Sequence, residues 1–343
     1  MKYTLLILAC MAVIACTNER DREFTGVKVI LDTDMGSDCD DAGALALLNE
    51  YRSRGKAEIL GVIYSSGAVP YGTGVIDAIN RYYGHHDIPV GANYDPSVGD
   101  PVDKMQTEKL SKDTAAFGNR YIENTDAVEQ TALNRRLLAG APDTSVVYVT
   151  IGHTRGLYDL LVSEPDSISD LPGRELVIRK IDRWIALGAL NALNEEGYYS
   201  RDWNFFFNGT VEYTKYLVDH FPRPVFFVDG GRHVMTGKSL IHSPGGNIVR
   251  TAYRDWLWNV EQKTLLDQRP SWDLVAVYYA VENPEKYFQT LNNGYLDFDI
   301  RKGCRWIEKD TLTQHHYVLQ KPGFEKDIAD YLNQMIKGPQ HKY

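Results

Sequence analysis

The chain has 343 residues, and its 46 acidic and 37 basic side chains give a formal net charge of -9. Binding to nucleic acid requires clustered Lys and Arg that neutralise phosphates, and the sequence contains no such cluster, so we expect no nucleic-acid partner. A small molecule is the expected ligand. The sequence leaves the oligomeric state open, with a homo-oligomer among the arrangements it allows.

The first residues have the features of a secretory signal peptide, because Lys2 precedes an apolar stretch that is too short to span a bilayer. The stretch ends in a sequence that resembles a bacterial lipobox, Val13-Ile14-Ala15-Cys16. We therefore predict a signal peptide over 1–15, a lipid anchor at Cys16 as the only membrane attachment, and a polar tether over 16–25. Thr17 is typical of outer-membrane lipoproteins that face the periplasm or cell surface of a Gram-negative bacterium. The alternative is cleavage to a soluble periplasmic protein.

The cysteines do not indicate a disulfide framework. Once Cys10 is removed and Cys16 is lipidated, only Cys39 and Cys304 remain, and their spacing is not that of a zinc site. The fold must therefore depend on its hydrophobic core. We find no low-complexity linker and no internal repeat, and we predict one domain over 26–343.

Apolar runs rich in β-formers alternate along the chain with helical patterns. The predicted strands cover 27–31, 59–64, 145–151, 175–178 and 225–228, and the predicted helices cover 41–54, 74–83, 129–138, 156–163 and 211–219. Helices over 253–266 and 272–281, strands near 288–296 and 315–319, and a final helix follow. The alternation predicts an α/β fold with an open, mostly parallel central sheet flanked by helices and a Rossmann-like core.

Five aspartates stand between the first predicted strand and the first predicted helix, and they are Asp32, Asp34, Asp38, Asp40 and Asp41. Open α/β sheets bind their ligands at such turns. One or two of these residues are expected to cap the helix. No Lys or Arg lies between Asp32 and Asp41, so neutralising the cluster requires a cation or a set of donors. Carboxylates are the ligands of hard metal ions, with Ca²⁺ and Mg²⁺ as the leading candidates.

The stretch from Asp32 to Ala42 resembles the D-x-D-P-G-x-D-D-A signature of the inosine-uridine preferring nucleoside hydrolase family, with Met35 for Pro and two extra residues before the last Asp pair. Other landmarks follow in the family's order, and they are Gly67 with Asp77-Ala78, Val149-Thr150-Ile151-Gly152, Asp202-Trp203-Asn204 and Trp272-Asp273. The resemblance implies a nucleoside hydrolase-like fold. It also implies hydrolysis of the N-glycosidic bond of ribonucleosides, or of related N-ribosides, to free base and ribose.

The resemblance assigns a role to each landmark. Ca²⁺ would be held by Asp34, Asp41, Asp273 and the backbone carbonyl of Ile151, with positions left for a water and for sugar hydroxyls. Asp34 would touch both the metal and the water and would act as general base. The substrate would be held by Asp40 and Asn204 at the vicinal hydroxyls, by Asp202 at the 5′ end, and by Trp272.

Two positions depart from the family's pattern. Ala68 stands where the family has an Asn beside the water, and Trp272 stands where many members have a His that helps the base to leave. Trp272 would stack on a purine, which can be protonated on its own ring, so purine nucleosides are expected to be preferred. The alternative for Trp272 is a core aromatic at a helix start.

Three histidines are candidates for the missing acid: His153, His233 and His242. We favour His242 as a substrate-binding residue, because it lies in a loop-forming stretch that would close over a pocket. A lone His is more often a hydrogen-bonded structural residue. Trp256 falls on a helical pattern and is predicted to be a packing residue.

Two other functions are compatible with parts of the sequence. The Asp32-Thr33-Asp34 string also resembles the nucleophile motif of haloacid dehalogenase-like phosphatases, although Gly36 stands where those enzymes have Thr or Val. A non-catalytic lipoprotein that captures ribosyl compounds through the metal site is the other alternative, and Ala68 and Trp272 favour it.

Overall fold

The computed structural model describes residues 26–194, 197–310 and 312–338. The predicted signal peptide, the lipid anchor at Cys16 and the tether lie outside the described residues and stay predictions. Within the described part of the chain, no helix is both long and apolar enough to cross a membrane.

Thirteen strands are described, and nine of them form the central sheet. They are β1 Val27–Thr33, β2 Ala57–Tyr64, β3 Val90–Ala92, β4 Val128–Glu129, β5 Val146–Thr150, β6 Ile181–Leu187, β7 Val225–Asp229, β8 Met235–Thr236, β9 Arg269–Pro270, β10 Phe288–Leu291, β11 Gly294–Asp299, β12 Gly303–Glu308 and β13 His315–Gln320. The central sheet has the order β10-β13-β7-β6-β5-β1-β2-β3-β4. Every neighbouring pair in it is parallel except β10 with β13.

Twelve helices are described. They are α1 Asp40–Ser53, α2 Gly72–Tyr82, α3 Thr107–Lys112, α4 Thr114–Phe117, α5 Gln130–Gly140, α6 Arg155–Val162, α7 Gly173–Lys180, α8 Trp203–Phe206, α9 Val211–His220, α10 Ile248–Glu261, α11 Trp272–Glu282 and α12 Glu325–Met335. Short 3₁₀ helices cover Asn124–Asp126, Lys238–His242 and Leu265–Asp267. The predicted α/β class, with a mostly parallel sheet between helices, is confirmed.

The sheet separates two hydrophobic cores. Val29 and Leu31 of β1 face the core that contains α1, α2, α10 and α11, whereas Ile30 faces the core that contains α6, α7 and α9. A strand buried on both faces requires apolar residues at successive positions, and the continuous apolar run of β1 meets that requirement. Helix α1 is buried along nearly its whole length, so the aspartates at its start lie deep in the molecule.

The order of the sheet reverses direction at β1. Strands β2, β3 and β4 follow on one side of β1, and β5, β6 and β7 follow on the other. The connections that leave the carboxyl ends of β1 and β5 therefore diverge to opposite sides, and they open a crevice between them. The aspartates that follow β1 lie at this crevice.

The predicted strand over 175–178 is wrong, because this segment lies inside helix α7. Gly173, Leu176 and Val177 are buried at helical spacing, while Ile178 is exposed. A short apolar run fits a strand and a buried helix equally well, so periodicity alone does not separate them. The neighbouring strand β6 was not predicted, since Asp182 and Arg183 interrupt its apolar pattern.

Other boundaries differ from the predictions. Helix α10 begins five residues before the predicted start at 253 and ends at Glu261, where Gln262 takes a left-handed conformation with φ of 55°. The predicted strand near 288–296 is divided between β10 and β11, which belong to different sheets. Strand β12, the partner of β11, was not predicted.

Candidate functional site

A cavity of about 400 Å³ lies at the carboxyl ends of β1, β5 and β6. This volume is in the range of small-molecule sites. Eight of the nine site residues predicted from the sequence line it, and they are Asp34, Asp40, Asp41, Ile151, Asp202, Asn204, Trp272 and Asp273. The fold therefore brings together residues that are far apart in sequence.

The turn after β1 depends on Gly36. This residue has a φ of +117°, and a side-chain carbon there would lie 2.7 Å from a methyl group of Thr107. Glycine is the residue that adopts this conformation without strain. The Ser37 backbone N–H donates to the Asp34 carbonyl at 3.2 Å, which closes the turn. The turn connects Asp34, directly after β1, with Asp40 at the start of α1, and both residues line the cavity.

The bottom of the cavity is lined by four buried carboxylates that we call the acidic floor: Asp34, Asp40, Asp41 and Asp273. Oxygens of Asp40, Asp41 and Asp273 lie within 4.8 Å of one another, and Asp34 is not one of these three. The Thr33 hydroxyl donates to Asp41, and the Asp273 backbone N–H donates to Asp40 at 3.2 Å. These three carboxylates also stand at the N-termini of α1 and α11, where the helix dipole favours negative charge.

Burial raises the pKa of all four carboxylates of the acidic floor. Repulsion from neighbouring aspartates raises the pKa values of Asp41 and Asp273 further. For Asp40, burial and Asp38 raise the pKa, and the Arg269 guanidinium opposes them. The arrangement favours binding of a divalent cation, because the carboxylates repel one another and each of them would be attracted to a hard metal ion between them. The three carboxylates that meet are therefore consistent with a metal site.

Asp34 has a histidine beside it. The Nε2 atom of His153 lies 3.4 Å from Asp34 Oδ2, and both side chains are buried. Burial has the largest effect on the pKa of Asp34 and raises it. The nearby His153 ring has the next largest effect and lowers it. His153 does not line the cavity, so it does not contact a leaving group there, as the role of the missing acid would require.

Two of the predicted site residues, Asn204 and Ile151, are joined by a hydrogen bond. The Asn204 side-chain amide donates to the Ile151 carbonyl at 2.9 Å and to the Leu187 carbonyl at 3.3 Å. The amide nitrogen is therefore directed to the backbone, and the Asn204 Oδ1 atom is its remaining polar atom. A carbonyl oxygen has two lone pairs, so Ile151 can accept this bond and still meet a cation.

Asp202 caps helix α8. Its carboxylate accepts hydrogen bonds from the backbone N–H groups of Phe205 and Ala189, both at 2.9 Å. Burial raises the pKa of Asp202 to about 6, although these hydrogen bonds oppose the rise. The sequence predicted that Asp202 binds the 5′ end of a sugar. The structure shows its two oxygens bonded to the backbone, which fixes the loop between β6 and α8.

One side of the cavity is lined by three indoles and a guanidinium, which we call the aromatic wall: Trp203, Trp256, Arg269 and Trp272. The Arg269 guanidinium carbon lies 4.2 Å from the ring centroid of Trp256 and 5.2 Å from that of Trp272. Arg269 also donates to Asp38 at 3.1 Å and to Glu261 at 2.8 Å. The positive charge beside the Trp272 ring is therefore that of Arg269, a residue of the protein.

Trp203 is the most exposed member of the aromatic wall, with 43% of its surface accessible. Its ring stacks on Phe207 at 5.7 Å, and the Lys104 ammonium lies 4.7 Å from its centroid. Its indole N–H donates to the Ser37 hydroxyl at 3.2 Å. An exposed indole on a cavity rim is a surface on which an aromatic ligand can stack.

Sequence reasoning missed most of the aromatic wall. Trp256 is buried in the core, as the packing prediction requires, but it also lines the cavity, and its N–H donates to the Ser37 carbonyl at 2.9 Å. Arg269 and Lys104 gave no sequence signal, because they belong to no motif. His242 is exposed at the end of a 3₁₀ helix and does not line the cavity. Ala68 does not line the cavity either, and its backbone N–H donates to the Val98 carbonyl.

The phosphatase alternative is not supported by the position of Asp32. This residue is fully buried, does not line the cavity, and accepts a hydrogen bond from the Tyr148 hydroxyl at 3.1 Å. A side-chain carbon at Gly156 would lie 2.5 Å from the same oxygen, so the start of α6 packs directly against this carboxyl. Burial raises the pKa of Asp32 to about 8. Such a carboxyl is not accessible as a nucleophile.

No protein-family model and no curated protein matches the chain. Solved structures do match. A plant nucleoside hydrolase has a TM-score of 0.64 at 14% identity, over 91% of this chain and 99% of that one. An inosine-uridine preferring nucleoside hydrolase from Bacillus anthracis has a TM-score of 0.65 at 16% identity, over the same shares. The type III effector protein XopQ, complexed with adenosine diphosphate ribose, has a TM-score of 0.62 at 14% identity, over 91% and 92%. The chain has the nucleoside hydrolase fold.

Proposed function

We propose that this protein hydrolyses the N-glycosidic bond of ribonucleosides, with purines preferred, or of related N-ribosides, to free base and ribose. The observation that carries the proposal is the acidic floor, which lies at the crevice beside β1 and lines a cavity with an aromatic wall. The floor offers carboxylates for a metal and a base, and the wall offers a surface for an aromatic leaving group.

We assign Ca²⁺ to the acidic floor, with Asp34, Asp41, Asp273 and the Ile151 carbonyl as ligands and Asp40 close to them. These residues fit a hard cation, because they offer several buried oxygens, and one of them, Asp34 Oδ2, has no hydrogen-bond partner among the described residues. A cation held by these residues would offset part of the negative charge of the floor and would make an adjacent water more acidic.

Asp34 is the proposed general base. Its carboxylate lines the cavity, where it would accept a proton from an attacking water. Departure of the base leaves an oxocarbenium-like sugar, and the other carboxylates of the acidic floor stabilise its positive charge. Asp40 and the Oδ1 atom of Asn204 are the proposed acceptors for the vicinal hydroxyls.

The preference for purines rests on the aromatic wall. A base with two rings covers more indole surface than a base with one ring, and stacking on an aromatic side chain is worth about 1–3 kcal/mol per base. Trp203 and Trp272 are the proposed contacts. Because Arg269 already meets Trp272, the purine does not need to carry a positive charge to be bound at this wall.

The test is release of free base from inosine, adenosine, uridine and cytidine, followed by chromatography, with calcium and after chelation. We expect calcium-dependent release, fastest with a purine nucleoside. Asp34→Asn is the matched control for contaminating activity. A pyrimidine preference would contradict the role of the aromatic wall, and release that survives Asp34→Asn would contradict the role of Asp34.

A second candidate is a non-catalytic protein that binds ribosyl compounds. The observation that favours it is Ala68, which supplies no side-chain donor where the family has an Asn and does not line the cavity. One protein with this fold was solved with adenosine diphosphate ribose bound. Titration calorimetry with ribose, inosine and adenosine diphosphate ribose separates the two functions, because a binder would show calcium-dependent heat and no release of base.

A further inference from the structure

His153 has surroundings unlike those of the partly buried histidines. Its side chain has no accessible surface, and neither ring nitrogen has a hydrogen-bond partner among the described residues. By contrast, His315 accepts from the Leu296 backbone N–H at 3.1 Å and has its other nitrogen 3.1 Å from the Val218 carbonyl. A buried polar group without a partner is costly, so a structural role alone does not explain an imidazole at this position.

The nearest complementary group to His153 is Asp34. The Nε2 atom lies 3.4 Å from Asp34 Oδ2, and that oxygen also has no other hydrogen-bond partner among residues 26–194, 197–310 and 312–338. The distance is just beyond the usual hydrogen-bond range of about 2.7–3.2 Å. Hydrogen bonds at catalytic groups are often long in the absence of ligands and shorten when the site is filled.

The backbone keeps these two side chains together. Gly152 packs against the turn after β1 so closely that a side-chain carbon there would lie 2.3 Å from the Asp34 backbone nitrogen. On the other side, the Thr154 hydroxyl lies 3.0 Å from that of Thr210 and 2.8 Å from that of Thr214. His153 is therefore placed by β1 on one side and by the start of α9 on the other.

We propose that His153 is a positioning residue for Asp34: its Nε2–H donates to Asp34 Oδ2 and fixes the direction of the carboxylate toward the metal and the attacking water. The inference rests on the function proposed above. His153 does not line the cavity, so it acts through Asp34 and not on the substrate. A donor behind a carboxylate ligand orients the ligand, and loss of such a group commonly costs about 10–100-fold in metal affinity or activity.

The experiment compares His153→Leu with His153→Gln. Leucine keeps much of the bulk and removes the donor, whereas glutamine keeps a side-chain N–H that reaches a similar point. The first readout is calcium affinity by calorimetry on metal-stripped protein, which does not depend on turnover. We expect His153→Leu to weaken calcium binding by about 10–100-fold and His153→Gln to restore it to within about threefold of wild type. Calcium affinity unchanged in His153→Leu, or equally weak in both variants, would overturn the proposal.

The second readout is kcat with the best nucleoside, which should fall in His153→Leu while KM changes little. Thermal melting of the metal-free variants shows whether they fold, and His153→Met replaces the leucine variant if that one does not. Wild-type protein that binds calcium and releases no base contradicts the proposed hydrolysis, and the calcium affinities then decide the role of His153. Wild-type protein that binds no calcium contradicts both.

Discussion

The acidic floor and the aromatic wall of the cavity differ in how their charges are balanced. The floor places four buried carboxylates together, and burial raises the pKa of each. In the wall, the Arg269 charge is paired with Asp38 and Glu261 and lies 4.2 Å and 5.2 Å from the ring centroids of Trp256 and Trp272. The negative charge of the floor therefore needs a bound cation to offset it, whereas the positive charge of the wall is already paired with carboxylates of the protein. Variants in the floor should change chemistry and metal binding, and variants in the wall should change substrate choice and stability.

The largest expected effect is that of Asp34→Asn. The amide has almost the same shape but cannot accept a proton, so kcat should fall by about 10²–10⁴-fold while KM stays near the wild-type value. Steady-state kinetics on the preferred nucleoside measure both. Asp38→Asn makes the same chemical change at the carboxylate that pairs with Arg269 of the wall, and it should retain most of kcat. Equal losses in the two variants would remove the distinction between floor and wall.

Calcium should stabilise the wild-type protein and not the Asp273→Asn variant. A ligand at 100 times its Kd adds about 2.7 kcal/mol to the free energy of unfolding. The substitution should weaken the site and also relieve repulsion in the floor, so the metal-free variant should melt at the wild-type temperature or above it. Melting curves with calcium and with chelator test both statements. A metal-free variant that is less stable than wild type would show that the floor is not under electrostatic strain.

Arg269→Met should destabilise the protein and change its base preference. The substitution leaves the Asp38 carboxylate without its cationic partner, whereas Glu261 keeps its ion pair with Lys263, and hydrogen bonds to charged groups contribute about 1.5–3 kcal/mol. Adding Asp38→Asn should recover part of the loss, since the two side chains are in contact. The free energies of unfolding of the two single variants and the double variant give the coupling. Strict additivity would mean that the pair contributes little to the wall.

The metal-free protein should lose stability as pH rises. Burial raises the pKa of the floor carboxylates, of Asp202 to about 6 and of Asp32 to about 8. The folded state then binds more protons than the unfolded state between about pH 4 and pH 8, so the free energy of unfolding falls by about 1.4 kcal/mol per pH unit for each extra proton. The partly buried His85 and His315, whose pKa values burial lowers, act in the opposite direction below about pH 6.5.

Denaturant titrations from pH 5 to pH 8, with and without calcium, measure this slope. Calcium should reduce it, because a bound cation favours the ionised carboxylates. Asp273→Asn should reduce it in the metal-free protein, because one of the raised groups is absent. A slope that neither change affects would place its origin outside the floor.

The smallest expected effect is that of His242→Ala. His242 is exposed and does not line the cavity, so kcat/KM should stay within about twofold of wild type. The same assay that compares bases provides the measurement. A tenfold loss would mean that the 3₁₀ helix around His242 moves over the cavity during turnover.

The sequence by itself determined the parts of this protein in which local pattern and chemistry agree. The apolar run of β1, the turn at Gly36 and the buried helix α1 are adjacent in sequence, so their order fixes where the aspartates lie. The resemblance to the nucleoside hydrolase signature predicted that Ile151 lies near Asp34, and in the sheet β5 is the parallel neighbour of β1.

Tertiary structure decided what depends on contacts between distant segments. The segment over 175–178 lies in helix α7, whose buried residues are at helical spacing. A segment of four residues is too short to show this spacing by itself. Asp273 meets Asp40 and Asp41 because α11 packs against α1, and Arg269 joins Asp38 across 231 positions of sequence. His153 lies beside Asp34 because Gly152 lets two strand ends approach closely. Such pairings depend on three-dimensional packing. The periodicity of one segment does not show which distant side chain will contact it.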